Sequence, residues 1–317
     1  MLYKHYSLCK TGICNNTLKH LPLKYETNIH YTKWGVVMVN IKDMSIEPIG
    51  LGTWKMGDDS NNHQDEIDAI QFAINQGANV IDTAEMYGDG ASEELIGEAI
   101  QSYDREKLYI ISKVHPENAS RDKVLTSIDN SLKRLRTDYI DLYLLHWKSQ
   151  YPLEETISAF EEAKNLGKIK EWGVSNFDTS DMKHLLSLPN GHECVANQVR
   201  YNIGDRGIEY DLKPFMRENN IALISYAPIA RGDKLGKNLT KSPVLLELSR
   251  KYEVDVFQIL LAWNIRDGHT LAIPKSSNKL HIENNMGASN IHLTEEDIQI
   301  IDSEFPPPTT KEPLALY

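Results

Sequence analysis

Cysteine is scarce in this chain of 317 residues: Cys9, Cys14 and Cys194 are few and odd in number, which excludes a disulfide framework as the scaffold. Cys9 and Cys14 lie near His5 and His20 and could form half a zinc site. A second ligand pair at metal spacing is missing, so no metal is expected. Long apolar runs are lacking too, and none approaches the ~20 residues that cross a bilayer. Residues 1–14 alternate polar and apolar side chains without the continuous core of a secretory leader, so a cytoplasmic protein is expected. Positive charge is in deficit. A formal net charge of -11 repels polyanions, which argues against nucleic-acid binding and against a basic membrane-docking face. Any phosphate site must therefore be local. Glycines pair as Gly50-Leu51-Gly52 and Gly88-Asp89-Gly90, but neither set has the spacing of a dinucleotide-binding fingerprint.

What the chain does have is the composition of an ordinary folded protein: 41% hydrophobic and 25% charged residues, near the globular average and enough for a sizeable core. Residues 1–37 mix Lys, His, Asn, Thr and Tyr without sustained periodicity and read as an N-terminal extension, disordered or foreign to the native chain. Met38 is a second candidate start. Residues 38–48 alternate apolar and polar side chains as a short hairpin does. From there a rhythm sets in. Apolar runs begin near Ile49, Val80, Leu108, Tyr139, Ile169, Val195, Ile221 and Leu271, and all intervals but the last are about 26 to 31 residues, one βα unit each.

Amphipathic helices fill the intervals, for example over 64–75 and 122–135, where apolar residues recur mostly three or four apart. Pro152 followed by Glu154 and Glu155 opens another helix, which Gly167 stops. The long last interval holds a loop over 230–240, a candidate lid, then helices over 243–251 and 256–265. Eight βα units close a barrel. The expectation is an α/β fold, a TIM (β/α)8 barrel with a short N-terminal hairpin, spanning 38–305. Residues 306–317, opening with three prolines, form a tail that trails over the surface.

Polar residues stand where the apolar strands end: Asp82 after Val80-Ile81, Lys113 after Ile110-Ile111-Ser112, and His146 after Leu144-Leu145. In a parallel barrel all strand C-termini share one rim, so these groups converge. Tyr87 lies on the loop above Asp82. A phenol is a poor proton donor at neutral pH, but an adjacent ammonium stabilises its anion. Lys113 would supply that ammonium, Asp82 would keep it charged, and His146 would hydrogen-bond a substrate oxygen. Each alone has a plain structural reading, as a buried ion pair or a core histidine. Together they cost too much desolvation to be packing, and they describe a site that polarises a carbonyl. No nucleophile has a matched base, so hydrolysis is poorly supported. Later strand ends carry groups that suit a cofactor: Ser175-Asn176 and Gln198 for a carboxamide, Tyr226 for a planar ring, and Lys275-Ser276 for phosphate.

These residues, taken in order, resemble the aldo-keto reductases: Gly50-Leu51-Gly52-Thr53-Trp54, Asp82-Thr83-Ala84 with Tyr87-Gly88, Ser112-Lys113, Leu145-His146-Trp147, Gly173 to Phe177, Asn197-Gln198 and Ile273-Pro274-Lys275-Ser276. The resemblance runs from about residue 40 to 305. It implies a barrel that binds NADPH in extended form and reduces aldehydes and some ketones, with Tyr87 as general acid, Asp82 and Lys113 tuning it, and His146 orienting the carbonyl. It also implies that Thr53 and Trp54 bind the cofactor, that Ser175, Asn176 and Gln198 hold the nicotinamide carboxamide, and that Tyr226 stacks on its ring. Lys275, Ser276 and Asn278 would then lie near the 2′-phosphate, with Asn284 and Asn285 near adenine. Trp54 and Trp147 would line the substrate pocket. Two departures matter. His281 stands where many members have arginine, which weakens the preference for NADPH over NADH. The tail after Phe305 is short, which implies an open pocket for a small-molecule carbonyl. A monomer or weak oligomer is expected. Two other functions fit the same residues: a catalytically weak NADPH-binding regulatory protein on the same barrel, and a Schiff-base lyase using Lys113.

Overall fold

Eight short segments of this chain are largely buried on both faces, the pattern of parallel strands covered by helices. In the computed structural model, which describes residues 38–230, 232 and 238–316, they form one parallel sheet in sequence order. The strands are β3 (Leu51–Gly52), β4 (Val80–Asp82), β5 (Tyr109–Val114), β6 (Ile140–Leu145), β7 (Ile169–Ser175), β8 (Ala196–Arg200), β9 (Ala222–Tyr226) and β10 (Thr270–Ala272). They are preceded by the expected antiparallel hairpin of β1 (Val39–Ile41) and β2 (Met44–Ile46).

The sheet closes on itself. Gly50 N donates to Ala272 O (2.8 Å), Ala272 N to Pro48 O (2.9 Å) and Gly52 N to Pro274 O (3.0 Å), so β3 and β10 share a seam. Glycine is required there, because a Cβ on Gly52 would stand 2.7 Å from the Ile273 carbonyl oxygen. The expected (β/α)8 barrel is therefore present, hairpin included.

Helices α1 (His63–Asn75), α2 (Ala91–Ala99), α3 (Arg121–Leu135), α4 (Leu153–Asn165), α5 (Thr179–Ser187) and α6 (Leu212–Glu218) alternate with the strands. The last interval contains both α7 (Pro243–Tyr252) and α8 (Val256–Ile265), and α9 (Lys279–Gly287) and α10 (Glu295–Glu304) follow β10. Local chemistry fixes several starts: Asp178, Asp255 and Thr294 form capping boxes at α5, α8 and α10. The outer core fills the layer between strands and helices, with Val124, Ile128 and Leu135 of α3 among its members. An inner core joins Val80, Tyr109, Leu142 and Leu271, at the lower halves of their strands, to Val39, Ile41 and Ile46 of the hairpin. The hairpin thus stoppers the N-terminal end of the barrel and leaves the other end for chemistry.

Cys9 and Cys14, where no metal is expected, lie outside the described residues, as do most of the 230–240 loop and the rest of residues 1–37. The tail does more than trail. Lys311 Nζ reaches Asp178 Oδ1 (2.5 Å) and Asp211 Oδ1 (2.8 Å), and Arg200 Nη1 donates to Leu316 O (3.0 Å). Phe305 O accepts from Arg206 Nη1. These contacts tie it to the loops after β7 and β8.

Candidate active site

Asp82 is the last residue of β4, Lys113 is near the end of β5, and His146 directly follows β6. Neighbouring strands therefore present them at one rim. Tyr87 opens a short turn, Tyr87–Gly90, in which Gly88, Asp89 and Gly90 all take positive φ (59°, 53° and 93°). Glycine makes that reversal inexpensive, and it turns the phenol back over the strand ends.

The structure brings Asp82, Tyr87 and Lys113 together. Lys113 Nζ donates to Asp82 Oδ1 (2.8 Å), to Thr83 O (2.6 Å) and to the Tyr87 hydroxyl (3.3 Å). Three N–H bonds meet three acceptors, which satisfies an ammonium completely. Gln198 Nε2 donates to Asp82 Oδ2 (2.7 Å), so both carboxylate oxygens are occupied. Lys113 is 0% and Asp82 2% exposed. Burial pushes the Asp82 carboxyl up and the Lys113 ammonium down, and the charge of each opposes the shift of the other. A pair this deep is retained at a desolvation cost that ordinary packing does not require.

His146 completes the group. Its ring meets that of Tyr87 edge-on at 5.7 Å and 71°. Burial, with the nearby Lys113 charge and then His115, lowers its pKa to about 2, so the imidazole is neutral at any working pH. Nδ1 is buried without a partner among the described residues. A buried polar atom left open in this way calls for a ligand or a water. Trp147, expected to line the pocket, packs against His146 at 4.8 Å. Trp54 follows Thr53, whose hydroxyl donates to Asp82 O (2.9 Å).

The residues expected to hold a carboxamide are interlocked. Asn176 takes a left-handed φ of 61°, an accessible conformation for Asn. Its Nδ2 donates to His146 O and to Ser175 Oγ, each at 3.1 Å, while Oδ1 accepts from the Tyr226 hydroxyl (2.9 Å). Ser175 Oγ donates to Gln198 O (2.8 Å). This web fixes the far side of the mouth.

Beyond the seam, Asn278 caps α9 by accepting from His281 N (3.1 Å), and Ser276 Oγ accepts from Asn278 N (3.1 Å). Lys275 and His281 are exposed there. The site thus joins a helix N-terminus to a lysine side chain, a donor set suited to phosphate. Asn284 differs from the expectation in its partner. It donates to Asp255 Oδ2 (2.8 Å), the residue that caps α8, while Asn285 beside it is 5% exposed. Two residues were not singled out from the sequence, Thr83 and His115. Thr83 acts through its carbonyl, which no residue type reveals. His115 stands two residues past Lys113 at a strand end, the same signal that picked out Asp82 and His146.

Among the described residues no cluster of His, Cys, Asp and Glu is arranged to hold a metal ion, and no helix is long and apolar enough to cross a membrane. A profile of the aldo/keto reductase family matches residues 48–304. The chain is 40% identical over 272 residues to methylglyoxal reductase YeaE of Escherichia coli, covering 86% of this chain and 95% of that protein. It is 32% identical to methylglyoxal reductase DkgB of Escherichia coli O157:H7, covering 81% and 92%. Among solved structures, an aldo/keto reductase from Klebsiella pneumoniae in complex with NADP and acetate superposes with a TM-score of 0.87 at 40% identity, covering 88% of this chain and 99% of that one. With barrel, rim residues and family profile in agreement over most of its length, the chain belongs to the aldo/keto reductase family.

Proposed function

We propose that this protein is an NADPH-dependent reductase of aldehydes, and of some ketones, with Tyr87 as the proton donor. The single observation that carries the reading is the Lys113 ammonium, bonded at once to Asp82 and to the Tyr87 hydroxyl. Relatives named as methylglyoxal reductases and a relative solved with NADPH support it.

The residues at the mouth fit a nicotinamide dinucleotide. Tyr226 offers a ring beside the amide of Asn176, and Thr53, Trp54, Ser175 and Gln198 would bind the cofactor beside it. Lys275, Ser276 and Asn278 would hold the 2′-phosphate at the start of α9, with His281 as a weaker cation than arginine, so NADH remains usable. Asn285, and Asn284 if it leaves Asp255, would meet the adenine. When bound there, the reduced cofactor supplies the hydride that adds to the carbonyl carbon.

The chain's own residues manage the proton. Neutral His146 binds the carbonyl oxygen and aims it at the Tyr87 hydroxyl. Tyr87 gives its proton to that oxygen, and Lys113 stabilises the phenolate left behind. Asp82, fixed by Gln198, holds the ammonium charged. Trp54 and Trp147 wall the substrate side. We assign this work to a catalytic unit at 38–305, flanked by the 1–37 extension and the 306–317 tail, acting on small molecules as a monomer or weak oligomer in the cytoplasm.

The test is a panel of aldehydes with NADPH or NADH, followed by loss of the reduced cofactor's absorbance. Tyr87→Phe is expected to lower kcat by about 10²–10⁴ while cofactor binding persists. Binding without turnover by the unaltered protein would refute the reductase reading.

A further inference from the structure

The turn that presents Tyr87 runs directly into α2, and the first residues of that helix are bound to the strand ends beside it. Ser92 Oγ accepts from Thr83 Oγ1 (3.0 Å) and is hydrogen-bonded to Thr53 Oγ1 (2.8 Å). Glu93, 0% exposed, accepts from Ser112 Oγ at Oε1. Arg134 of α3 donates to Glu93 Oε2 through Nε (2.7 Å) and Nη2 (2.6 Å). Ser112 directly precedes Lys113, and successive side chains of a strand leave on opposite faces. Glu93 therefore holds this part of β5 from the helix side, and Asp82 holds it from the other.

Arg134 also reaches the turn itself. A Cβ on Gly90 would stand 2.6 Å from Arg134 Cδ and 2.7 Å from Nε. The arginine side chain thus lies flush against the residue where the turn, at a φ of 93°, enters α2. One turn further along, a Cβ on Gly97 would stand 2.2 Å from the Arg134 carbonyl oxygen, an approach of α2 to α3 so close that α2 has little freedom to move. One guanidinium side chain therefore touches both the turn that carries Tyr87 and the acid that grips β5 beside Lys113. The longest bond of the site depends on this placement. Lys113 Nζ lies 3.3 Å from the Tyr87 hydroxyl, against 2.8 Å and 2.6 Å for its other two acceptors. Little further separation would break it.

We propose that Arg134 is a positioning residue for the reduction: paired with Glu93, it sets the Tyr87 turn against β5 and so keeps the phenol within reach of the Lys113 ammonium. The proposal rests on the reductase reading above. Buried ion pairs are often replaceable by apolar side chains without loss of stability, so stability alone does not call for Glu93 and Arg134 here. Without the pair the turn drifts from β5, the Lys113–Tyr87 bond lengthens and proton transfer slows. The groups expected to hold the cofactor on β7, β8 and α9 keep their places.

The experiment measures single-turnover reduction of methylglyoxal, or of the fastest other aldehyde of the panel, by full-length protein saturated with NADPH. The variants are Arg134→Lys, the pair Glu93→Gln with Arg134→Met, Tyr87→Phe, and Tyr87→Phe combined with that pair. The paired substitution leaves no buried charge without a partner, and an unchanged NADPH dissociation constant shows that it folds. Its rate is expected to fall about tenfold to a hundredfold, the scale on which a misplaced group acts. Arg134→Lys, which keeps a cation beside Glu93, should recover most of that loss. In the Tyr87→Phe background the same pair should cost less than about twofold, because an effect that runs through the phenol has nothing left to act on. A pair that slows both backgrounds equally, or neither, would overturn the proposal, as would a lysine variant no faster than the pair. Glu93→Gln alone, which keeps the side-chain shape, carries the same comparison if the paired variant fails to bind NADPH. If the unaltered protein binds NADPH and reduces no aldehyde of the panel, it is the underlying reductase reading that fails.

Discussion

Gln198 reaches across the barrel mouth from β8 and donates its amide to Asp82 Oδ2 (2.7 Å), the oxygen that Lys113 leaves open. The sequence separates the two by 116 residues. Their contact makes the carboxylate a fixed anion with both oxygens engaged. Gln198→Leu should therefore lower stability by about 1.5–3 kcal/mol, the range for a hydrogen bond to a charged group. Urea unfolding monitored by tryptophan fluorescence measures it, and an unchanged midpoint would remove Gln198 from the support of the ion pair.

Breaking the buried pair from one side should cost more than breaking it from both. Lys113→Met leaves Asp82 charged and buried, a loss of about 3–5 kcal/mol. The double variant with Asp82→Asn should lose clearly less than the two single losses added together. A double-mutant cycle by chemical denaturation reads the difference, and strict additivity would mean that the two charges do not depend on each other.

The neutral imidazole of His146 has a pH consequence. Its folded pKa lies near 2 against an ordinary value of 6.5. Below 6.5 the unfolded chain therefore binds a proton that the native ring refuses. Stability falls as pH falls across that window, by up to about 1.4 kcal/mol per pH unit, and the effect vanishes above it. His146→Gln should flatten the slope between pH 6.5 and 4 relative to the unaltered protein. Parallel slopes would show that the ring titrates normally in the fold.

At the seam, Gly52→Ala would press a methyl group against the Ile273 carbonyl 2.7 Å away. The atoms it would meet are backbone of Ile273 and Pro274, which leaves little room to yield, so a loss of about 1–3 kcal/mol is expected from overpacking. A lowered melting temperature with an unchanged circular dichroism spectrum is the signature. An unaltered melting temperature would mean that the seam can spread to admit the methyl group.

Much of this was legible in the chain. The strand rhythm, the hairpin and the acid, ammonium and imidazole at successive strand ends are local patterns, and each appears where periodicity and strand-end polarity place it. The helix over 256–265 was readable to the residue, because its apolar run follows Asp255 and precedes the polar Arg266. The partners were not legible. That Gln198 bonds Asp82, or that Asn284 bonds the cap of α8, depends on side chains brought together only by closure. The tail shows the same limit: composition says that residues 306–308 are neither helix nor strand, but not that Lys311 finds Asp178 and Asp211.

Lys275 is also a hoop on the cask, since its backbone bridges to Gly52 where the last stave meets the first. A phosphate held by Lys275, as proposed, would brace the joint that closes the barrel between its last strand and its first. Amides of Gly50 and Gly52 should exchange with deuterium more slowly once phosphate-bearing cofactor is present, making the barrel's final stitch a reporter of occupancy.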